Sequence, residues 1–266
     1  MDLQLQDKVA VVTGASRGIG LAVAQRLTAE GARVVAASRT RSPELDALGA
    51  AVLHVPADLT RADAPAEVVA RALEAHGRVD ILVNNVGGGP EVHGPRPGFL
   101  AVTDADWHAT LELNLLSAIR ATRAVLPLMV EQGSGAVVHV SSVNARQPFP
   151  MVVDYSAAKA ALANMTKALS EEFAPQGVRV NAISPGPVRT PFWTADGAMG
   201  DVIAGQAGVD RETALAEVLP ASMGLSTGAL AEPEEIAALV AHLSSPLAAS
   251  TTGADWVVDS GLLKST

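Results

Sequence analysis

A glycine-rich segment between an apolar run and a helical pattern restricts the folds that this chain can adopt. Residues 9–12 are continuously apolar, as in a strand that is buried on both faces. Apolar residues at helical spacing begin at Leu21. Glycines let a backbone approach a phosphate, and a helix N-terminus offers unpaired N–H groups and a favourable dipole. We therefore predict a nucleotide-phosphate cradle, rather than a simple tight turn, formed by Thr13-Gly14-Ala15-Ser16-Arg17-Gly18-Ile19-Gly20.

Apolar runs alternate with helical patterns along the rest of the chain. Further strands are predicted at Arg33–Ser38, 51–55, 79–83, Gly135–Val140, 178–183 and 256–258. Helices are predicted over 64–76, from Thr103, around Tyr155 and from Glu232, and a proline-containing loop is predicted over 90–100. This alternation specifies an α/β, doubly wound Rossmann fold with a seven-stranded parallel sheet. We expect a single domain over residues 1–266, in which residues 190–231 form a substrate lid.

The composition restricts the partners of such a fold. The net charge is −9 without a basic stripe, which argues against nucleic acid as a partner. Cysteine is absent and the six histidines include no His-x-x-x-His pair, so no metal site is expected. No apolar run approaches the roughly 18 residues of a membrane span. Asp2 and Asp7 leave no room for a secretory signal. We expect a cytoplasmic protein with no membrane partner.

The end of the second predicted strand indicates which nucleotide is bound. NAD-binding folds place an acidic residue about 20 positions after the glycine loop, where it holds the ribose 2′-hydroxyl, whereas arginine suits a 2′-phosphate. This chain has Ser38 and Arg39 at that point, with Arg17 and Arg41 in support. We predict that NADP(H) is preferred and that NAD(H) is possible. The alternative is that Arg39 and Arg41 are solvated loop charges.

Tyr155 and Lys159 are separated by three residues, so on a helix they lie one turn apart on the same face. A phenol has a pKa of about 10, and a nearby ammonium group favours the phenolate, which brings the tyrosine within reach of acid–base catalysis. Ser142 follows the fifth predicted strand and offers a hydroxyl for a substrate oxygen. The alternative is an ordinary surface Tyr and Lys on an alanine-rich helix.

Polar or glycine-containing segments follow the other strands as well. Asp58 and Leu59 follow the third strand and are expected to face an adenine, and Asn84 is expected to cap backbone groups. Ligands of open α/β sheets bind at the carboxyl ends of the strands, so one site would gather these segments.

Together, these residues resemble the short-chain dehydrogenase/reductase family over essentially the whole chain. Residues 13–20 match its T-G-x-x-x-G-x-G loop, and residues 84–87 resemble its N-N-A-G motif with Val86 in place of alanine. Its usual D-G-G appears as Asp259-Ser260-Gly261, a departure expected to alter the terminal strand only. The family's catalytic tetrad falls on Asn114, Ser142, Tyr155 and Lys159, and its nicotinamide-side turn on Pro185-Gly186.

The resemblance implies a role for each of these residues. Tyr155 would be the general acid in carbonyl reduction and the base in alcohol oxidation, and Lys159 would hold the nicotinamide ribose. Ser142 would bind the substrate oxygen. Asn114 would interrupt its helix and hold a water that links Lys159 to solvent. Further cofactor contacts are implied for Asn85, Gly87, Pro185, Gly186, Val188 and Thr190. A homotetramer, or a homodimer, is expected.

The expected function is NADP(H)-dependent interconversion of a ketone and a secondary alcohol. The apolar residues Val143, Phe149, Phe192 and Trp193 are predicted substrate contacts and favour a medium-sized, mainly apolar small molecule; a β-keto-thioester and a sugar alcohol stay open. One alternative is an NAD-dependent alcohol dehydrogenase, and another is a nucleotide sensor without turnover. An enoyl-thioester reductase is disfavoured, because that branch of the family places its lysine further from its tyrosine.

Overall fold

The chain folds around a seven-stranded parallel sheet. The computed structural model describes residues 1–88 and 97–265. The strand order is β3-β2-β1-β4-β5-β6-β7, and every neighbouring pair is parallel. The order reverses between β1 and β4, where open α/β sheets bind their ligands. The strands are β1 (Val9–Thr13), β2 (Arg33–Ser38), β3 (Val52–Pro56), β4 (Ile81–Asn84), β5 (Gly135–Val140), β6 (Val178–Pro185) and β7 (Asp255–Val258).

Helices cover both faces of the sheet, which confirms the predicted doubly wound fold. The helices α1 and α11 pack on one face, and α3, α5 and α6 pack on the other. One π-helical turn (Glu112–Leu116) joins α4 to α5, and another (Ala214–Val218) joins α9 to α10. The helices are α1 (Gly18–Ala29), α2 (Pro43–Asp46), α3 (Ala64–His76), α4 (Asp104–Leu111), α5 (Ser117–Gln132), α6 (Val153–Phe173), α7 (Pro191–Thr194), α8 (Met199–Ala207), α9 (Arg211–Thr213), α10 (Leu219–Met223) and α11 (Pro233–Ser244).

The predicted bounds of β2, β5 and α3 are confirmed. Strand β3 starts one residue later than predicted and β4 two residues later, while β6 continues through Pro185. The inner strands β1 and β4 are buried along their whole length, because helices cover both faces. Most of the loop predicted over 90–100 lies outside the described residues.

The segment between β6 and α11 has a small core of its own. Leu215, Leu219 and Leu230 are buried there, and Trp193 and Met223 pack against them. Leu262 returns from the C-terminal end of the chain into the same cluster. The segment therefore forms a packed wall beside the sheet.

The helix pair α4–α5 buries a different face from the one that its apolar pattern suggests. One apolar stripe of the helix predicted from Thr103 is only half-buried, and it consists of Trp107, Leu111, Leu115 and Ile119, whereas Asn114 is fully buried. By length and composition alone, Asp104–Gln132 is apolar enough to span a membrane, with a mean hydropathy of 1.3 over its most apolar 18 residues. No apolar stretch of this length was expected from the sequence. In this fold the segment is a core helix that packs against the sheet.

The serine of the Asp-Ser-Gly departure occupies a glycine-like conformation. Ser260 has a φ of 58°, in the left-handed region that disfavours side chains. The carboxylate of Asp259 accepts hydrogen bonds from the N–H groups of Gly261 (2.9 Å) and Leu263 (2.7 Å), which fixes the turn. Strand β7 pairs with β6 through Val258, so the departure leaves this pairing in place.

A buried carboxylate joins the start of β1 to the start of β4. Asp80 accepts hydrogen bonds from the N–H of Val9 (2.9 Å) and from Arg78 (2.6 and 2.9 Å).

We expect Asp80→Ala to lower the free energy of unfolding by about 2 kcal/mol, because the buried N–H of Val9 then lacks a partner. Urea denaturation measures this. Glu74→Ala, which removes an exposed ion pair to Arg71, is the control and should cost less than about 0.5 kcal/mol. Equal losses in the two variants would contradict the prediction.

Candidate active site

One cleft of about 1140 Å³ opens at the carboxyl ends of the strands. Most of the predicted site residues line it, although they come from seven separate segments of the chain. Gly20 and Asn114 do not line the cleft and lie behind its wall. The predicted residues along its surface are Gly14, Ser16, Arg17, Gly18, Ile19, Ser38, Arg39, Asp58, Leu59, Asn85, Gly87, Ser142, Val143, Phe149, Tyr155, Lys159, Pro185, Gly186, Val188, Thr190, Phe192 and Trp193.

The glycine loop has the shape of a phosphate cradle. Gly14 and Gly18 adopt φ angles of +67° and +54°, which favour glycine. A Cβ on Gly20 would lie 2.2 Å from the carbonyl oxygen of Gly14, so Gly20 serves close packing behind the loop. No side chain caps α1 at Arg17 and its first turn contains no acidic residue. The first N–H groups of α1 are therefore suited to phosphate oxygens.

The end of β4 holds the glycine loop in place. The hydroxyl of Thr13 accepts hydrogen bonds from the N–H groups of Asn85 (2.9 Å) and Val86 (3.0 Å). The amide of Asn85 donates to the carbonyl oxygens of Thr13 (2.9 Å) and Gly14 (3.3 Å). The motif after β4 thus shapes the cradle through the loop backbone, in addition to lining the cleft.

The end of the cleft that is predicted to hold the adenosine lies beyond β2 and β3. Arg39 is exposed there, on the side of the cleft to which Asp58 also belongs. Hydrogen bonds from Thr60 hold the pKa of Asp58 below its usual range, and the charge of Arg39 contributes in the same direction. Arg41, which was expected to support Arg39, pairs with Asp46 and is not among the residues that line the cleft.

Lys159 is buried against the end of β5. Its ammonium group donates a hydrogen bond to the carbonyl oxygen of Val140 (2.8 Å) and lies 5.6 Å from the ring centroid of Tyr155. Burial lowers the pKa of Lys159 to about 8, which leaves the group mostly charged at neutral pH. A Cβ on Gly87 would lie 3.1 Å from the ammonium nitrogen, so this position leaves little room for a side chain. Ser141 donates to the carbonyl oxygen of Lys159 (3.2 Å) and holds α6 in register.

Asn114 lies in the π-helical turn between α4 and α5. Its amide nitrogen donates to the carbonyl oxygens of Thr110 (3.0 Å) and Gly88 (2.9 Å), and its amide oxygen accepts from the N–H of Gly88 (3.0 Å). The turn is the local interruption that the resemblance implies. It fixes the backbone next to Gly87, and therefore one wall of the Lys159 pocket.

A buried histidine lies in β5, next to the strand end that binds Lys159. The amide nitrogen of Asn84 lies 3.1 Å from Nδ1 of His139 and 2.9 Å from the hydroxyl of Thr122. An amide nitrogen only donates, so Nδ1 of the histidine accepts and its neutral ring carries the proton on Nε2. Asn84 therefore joins side chains of β5 and α5, and the expectation that it caps backbone groups is wrong.

Several cleft residues were not predicted as site residues. Thr40 and Thr60 extend the segments after β2 and β3, and Asn144 lies two residues after Ser142. Proximity to predicted residues is the signal that could have found them. Met223 was predicted only as part of the apolar lid, and Leu262 gave no signal, because it reaches the cleft from the far end of the chain. Among the described residues, no cluster of three or more His, Cys, Asp or Glu side chains could hold a metal ion.

A phosphate cradle at the switch point of a parallel sheet, facing a tyrosine and a buried lysine, defines an NAD(P)-dependent oxidoreductase. A family model described as short chain dehydrogenase matches residues 8–199. The chain is 37% identical over 262 residues to the short-chain reductase protein NovJ of Streptomyces niveus, covering 96% of this chain and 94% of that protein. The chain belongs to the short-chain dehydrogenase/reductase family.

Solved structures agree with this assignment. The L-sorbose reductase of Gluconobacter frateurii, complexed with NADPH and L-sorbose, superposes with a TM-score of 0.89 at 31% identity and full coverage of both chains. The 3-ketoacyl-(acyl-carrier-protein) reductase of Brucella melitensis, complexed with NADH, superposes with a TM-score of 0.84 at 30% identity, covering 97% of this chain and 99% of that one. This chain is therefore an enzyme that binds NAD(P)(H).

The buried His139 should make stability depend on pH. Burial, together with the charge of Lys159, lowers its pKa to about 3, whereas the unfolded chain takes up the proton near the ordinary value of 6.5. Below pH 6.5 the unfolded state therefore binds more protons, and we expect His139 to remove up to about 1.4 kcal/mol of stability per pH unit.

The contribution of His139 can be isolated by comparing the wild type with His139→Gln. Urea denaturation between pH 7 and pH 5 should give a shallower decline for the variant, whatever its absolute stability. Parallel declines would contradict the prediction.

Proposed function

We propose that the protein is an NADP(H)-dependent reductase that interconverts a ketone and a secondary alcohol. The observation that carries the proposal is the buried ammonium group of Lys159 beside Tyr155, at the cleft that Ser142 and the glycine loop also line. A nucleotide sensor has no need of this arrangement, because it performs no proton transfer.

The residues present fit a dinucleotide. The uncapped N-terminus of α1 and the glycines before it suit the pyrophosphate, and Arg39 and Arg17 suit a 2′-phosphate. Lys159 would hold the nicotinamide ribose, and Val188 and Thr190 would hold the carboxamide. When bound, the cofactor supplies or accepts the hydride, and the protein supplies placement.

The protein's own residues would manage the proton and the charge on the substrate oxygen. In reduction, the hydroxyl of Tyr155 donates its proton to that oxygen, and Ser142 donates a hydrogen bond to it. The charge of Lys159 stabilises the resulting phenolate, and its effect is strong because the site is shielded from water. Asn114 would hold the water through which Lys159 exchanges protons with solvent.

The substrate half of the cleft is mainly apolar. Val143, Phe149, Phe192 and Trp193 line it, and the rings of Phe192 and Trp193 meet edge to face with centroids 4.7 Å apart. These contacts support a medium-sized, mainly apolar ketone, with residues 190–231 as the substrate wall. The related L-sorbose reductase and 3-ketoacyl-(acyl-carrier-protein) reductase support adding a ketose and a 3-oxoacyl thioester to an assay panel.

We also infer a homotetramer, or a homodimer, in the cytoplasm. The stripe of Leu111, Leu115 and Ile119 is half-exposed on the outer face of α4–α5, and Trp256 is 41% exposed on the edge strand β7. Apolar faces of this kind suit contact with further copies of the chain. The absence of cysteine supports a reducing compartment.

Replacing Tyr155 tests the proposed chemistry. We expect Tyr155→Phe to lower kcat by about 10²- to 10⁴-fold, because the variant has no proton to donate. Its affinity for NADPH should stay within about twofold of the wild type, since the variant keeps the glycine loop and the arginines that are proposed to hold the phosphates. The assay follows NADPH absorbance with the ketone panel.

Two outcomes would contradict the proposed chemistry. Retained activity in Tyr155→Phe would exclude the tyrosine as the acid. If the wild type binds NADPH but reduces no member of the panel, and oxidises no corresponding alcohol, the result favours the sensor.

Substitutions of two neighbouring arginines, Arg39 and Arg41, test the cofactor preference. We expect Arg39→Ala to weaken NADPH binding by about 10- to 100-fold, the size of a lost charge-assisted hydrogen bond, with little change for NADH. Arg41→Ala removes the same charge from the loop but should leave both affinities within about twofold, because Arg41 pairs with Asp46 outside the cleft.

Titration followed by nicotinamide fluorescence measures both affinities. A wild type that prefers NADH would overturn the NADP(H) proposal and favour an NAD-dependent alcohol dehydrogenase.

A further inference from the structure

A histidine on the edge strand β3 reaches the turn that carries Arg39. His54 is half-buried, and its Nε2 lies 3.0 Å from the hydroxyl oxygen of Ser38. The same hydroxyl donates a hydrogen bond to the carbonyl oxygen of Thr40 (2.9 Å). The turn from Ser38 to Thr40 at the end of β2 is therefore linked to the side chain of His54 on the neighbouring strand.

The direction of these hydrogen bonds follows from the number of available protons. A serine hydroxyl has a single proton, and here it goes to the carbonyl of Thr40. The hydroxyl oxygen can therefore only accept from His54, whose Nε2 carries the proton. Burial holds the pKa of His54 below its ordinary value, and the charge of Arg41 acts in the same direction. A contact with the backbone of Ser38 and the charge of Asp46 act against them without reversing the direction, so the ring is a neutral donor.

The linked turn lies at the place where a 2′-phosphate would sit. Ser38, Arg39 and Thr40 all line the cleft, and Ser38 is buried while the two following residues are exposed. The hydroxyl proton of Ser38 is committed to the backbone of the turn. Its contribution to the cofactor is therefore to hold the backbone from which Arg39 extends, in place of a direct bond to the phosphate.

We propose that His54 is a specificity-determining positioning residue, which acts through Ser38 to hold Arg39 toward the 2′-phosphate of NADP(H). The inference rests on the NADP(H) preference proposed above. A cofactor without the 2′-phosphate does not engage Arg39 in this way, so its binding does not depend on His54. The residue touches neither the substrate nor the nicotinamide, so the rate at saturating NADPH is also independent of it.

Two substitutions of His54 separate the hydrogen bond from the packing of the ring. His54→Leu removes the donor at similar volume, and we expect it to weaken NADPH binding by about five- to tenfold, the size of one net hydrogen bond. Binding of NADH should stay within about twofold, which also shows that the variant is folded. His54→Gln restores a donor and should restore NADPH affinity to within about threefold of the wild type.

A double-mutant cycle tests whether His54 acts through Ser38. In a Ser38→Ala background, His54→Leu should change NADPH affinity by less than about twofold, because the link is already broken. Both cofactors are titrated by nicotinamide fluorescence in all variants.

The outcomes distinguish this proposal from the one on which it rests. Equal affinity of the wild type for NADPH and NADH would overturn both. A wild-type preference for NADPH that survives in His54→Leu would overturn the role of His54 alone. Equal weakening of NADPH and NADH in His54→Leu would show a general structural role and would also overturn it. A full effect of His54→Leu in the Ser38→Ala background would exclude the route through Ser38.

Discussion

The active-site end of this fold depends on one buried positive charge. Removing an ammonium group from water costs several kcal/mol, and Lys159 recovers part of this through the carbonyl oxygen of Val140. Three neighbouring features accommodate the ammonium group. Gly87 leaves room for it, and Ser141 donates a hydrogen bond to the carbonyl oxygen of Lys159. The π-helical turn at Asn114 fixes the backbone of Gly88, which forms one wall of the Lys159 pocket. The low pKa of the lysine and its influence on Tyr155 have the same origin, since a site that excludes water both penalises a charge and strengthens its field.

The two ends of the cleft are built in different ways. At the end that holds Lys159, the buried side chains of Lys159 and Asn114 donate to backbone carbonyls, so their positions are fixed by the sheet and by the neighbouring helices. The adenosine end consists of exposed side chains on a short turn after β2. Its geometry depends on a link from Ser38 to His54 on the neighbouring strand. The proposed cofactor choice and the proposed proton transfer would therefore rest on separate contacts, although one cleft holds both.

Most of the fold and the cleft could be predicted because they follow from local patterns. Continuous apolar runs gave β2 and β5 their bounds, and parallel strands bring their carboxyl ends to one edge. The failures concern contacts between distant segments. The burial of Asn114 in α4–α5 could not be read from hydrophobic spacing, because its amide is hydrogen-bonded to Gly88 of a distant segment. The link from His54 to Ser38 likewise depends on how two strands come together, whereas the pairing of Arg41 with Asp46 is a local ion pair that the sequence offered and the prediction overlooked.

The dependence of the glycine loop on β4 has a consequence for how the protein is made. Thr13 receives its hydrogen bonds from Asn85 and Val86, which follow it by 72 and 73 residues. A nascent chain that has only β1, β2 and β3 outside the ribosome therefore has the complete glycine sequence without the groups that shape it. Until β4 emerges, one edge of β1 also stays open to incorrect pairing. The glycine loop can therefore take its final shape only after the fourth strand has emerged.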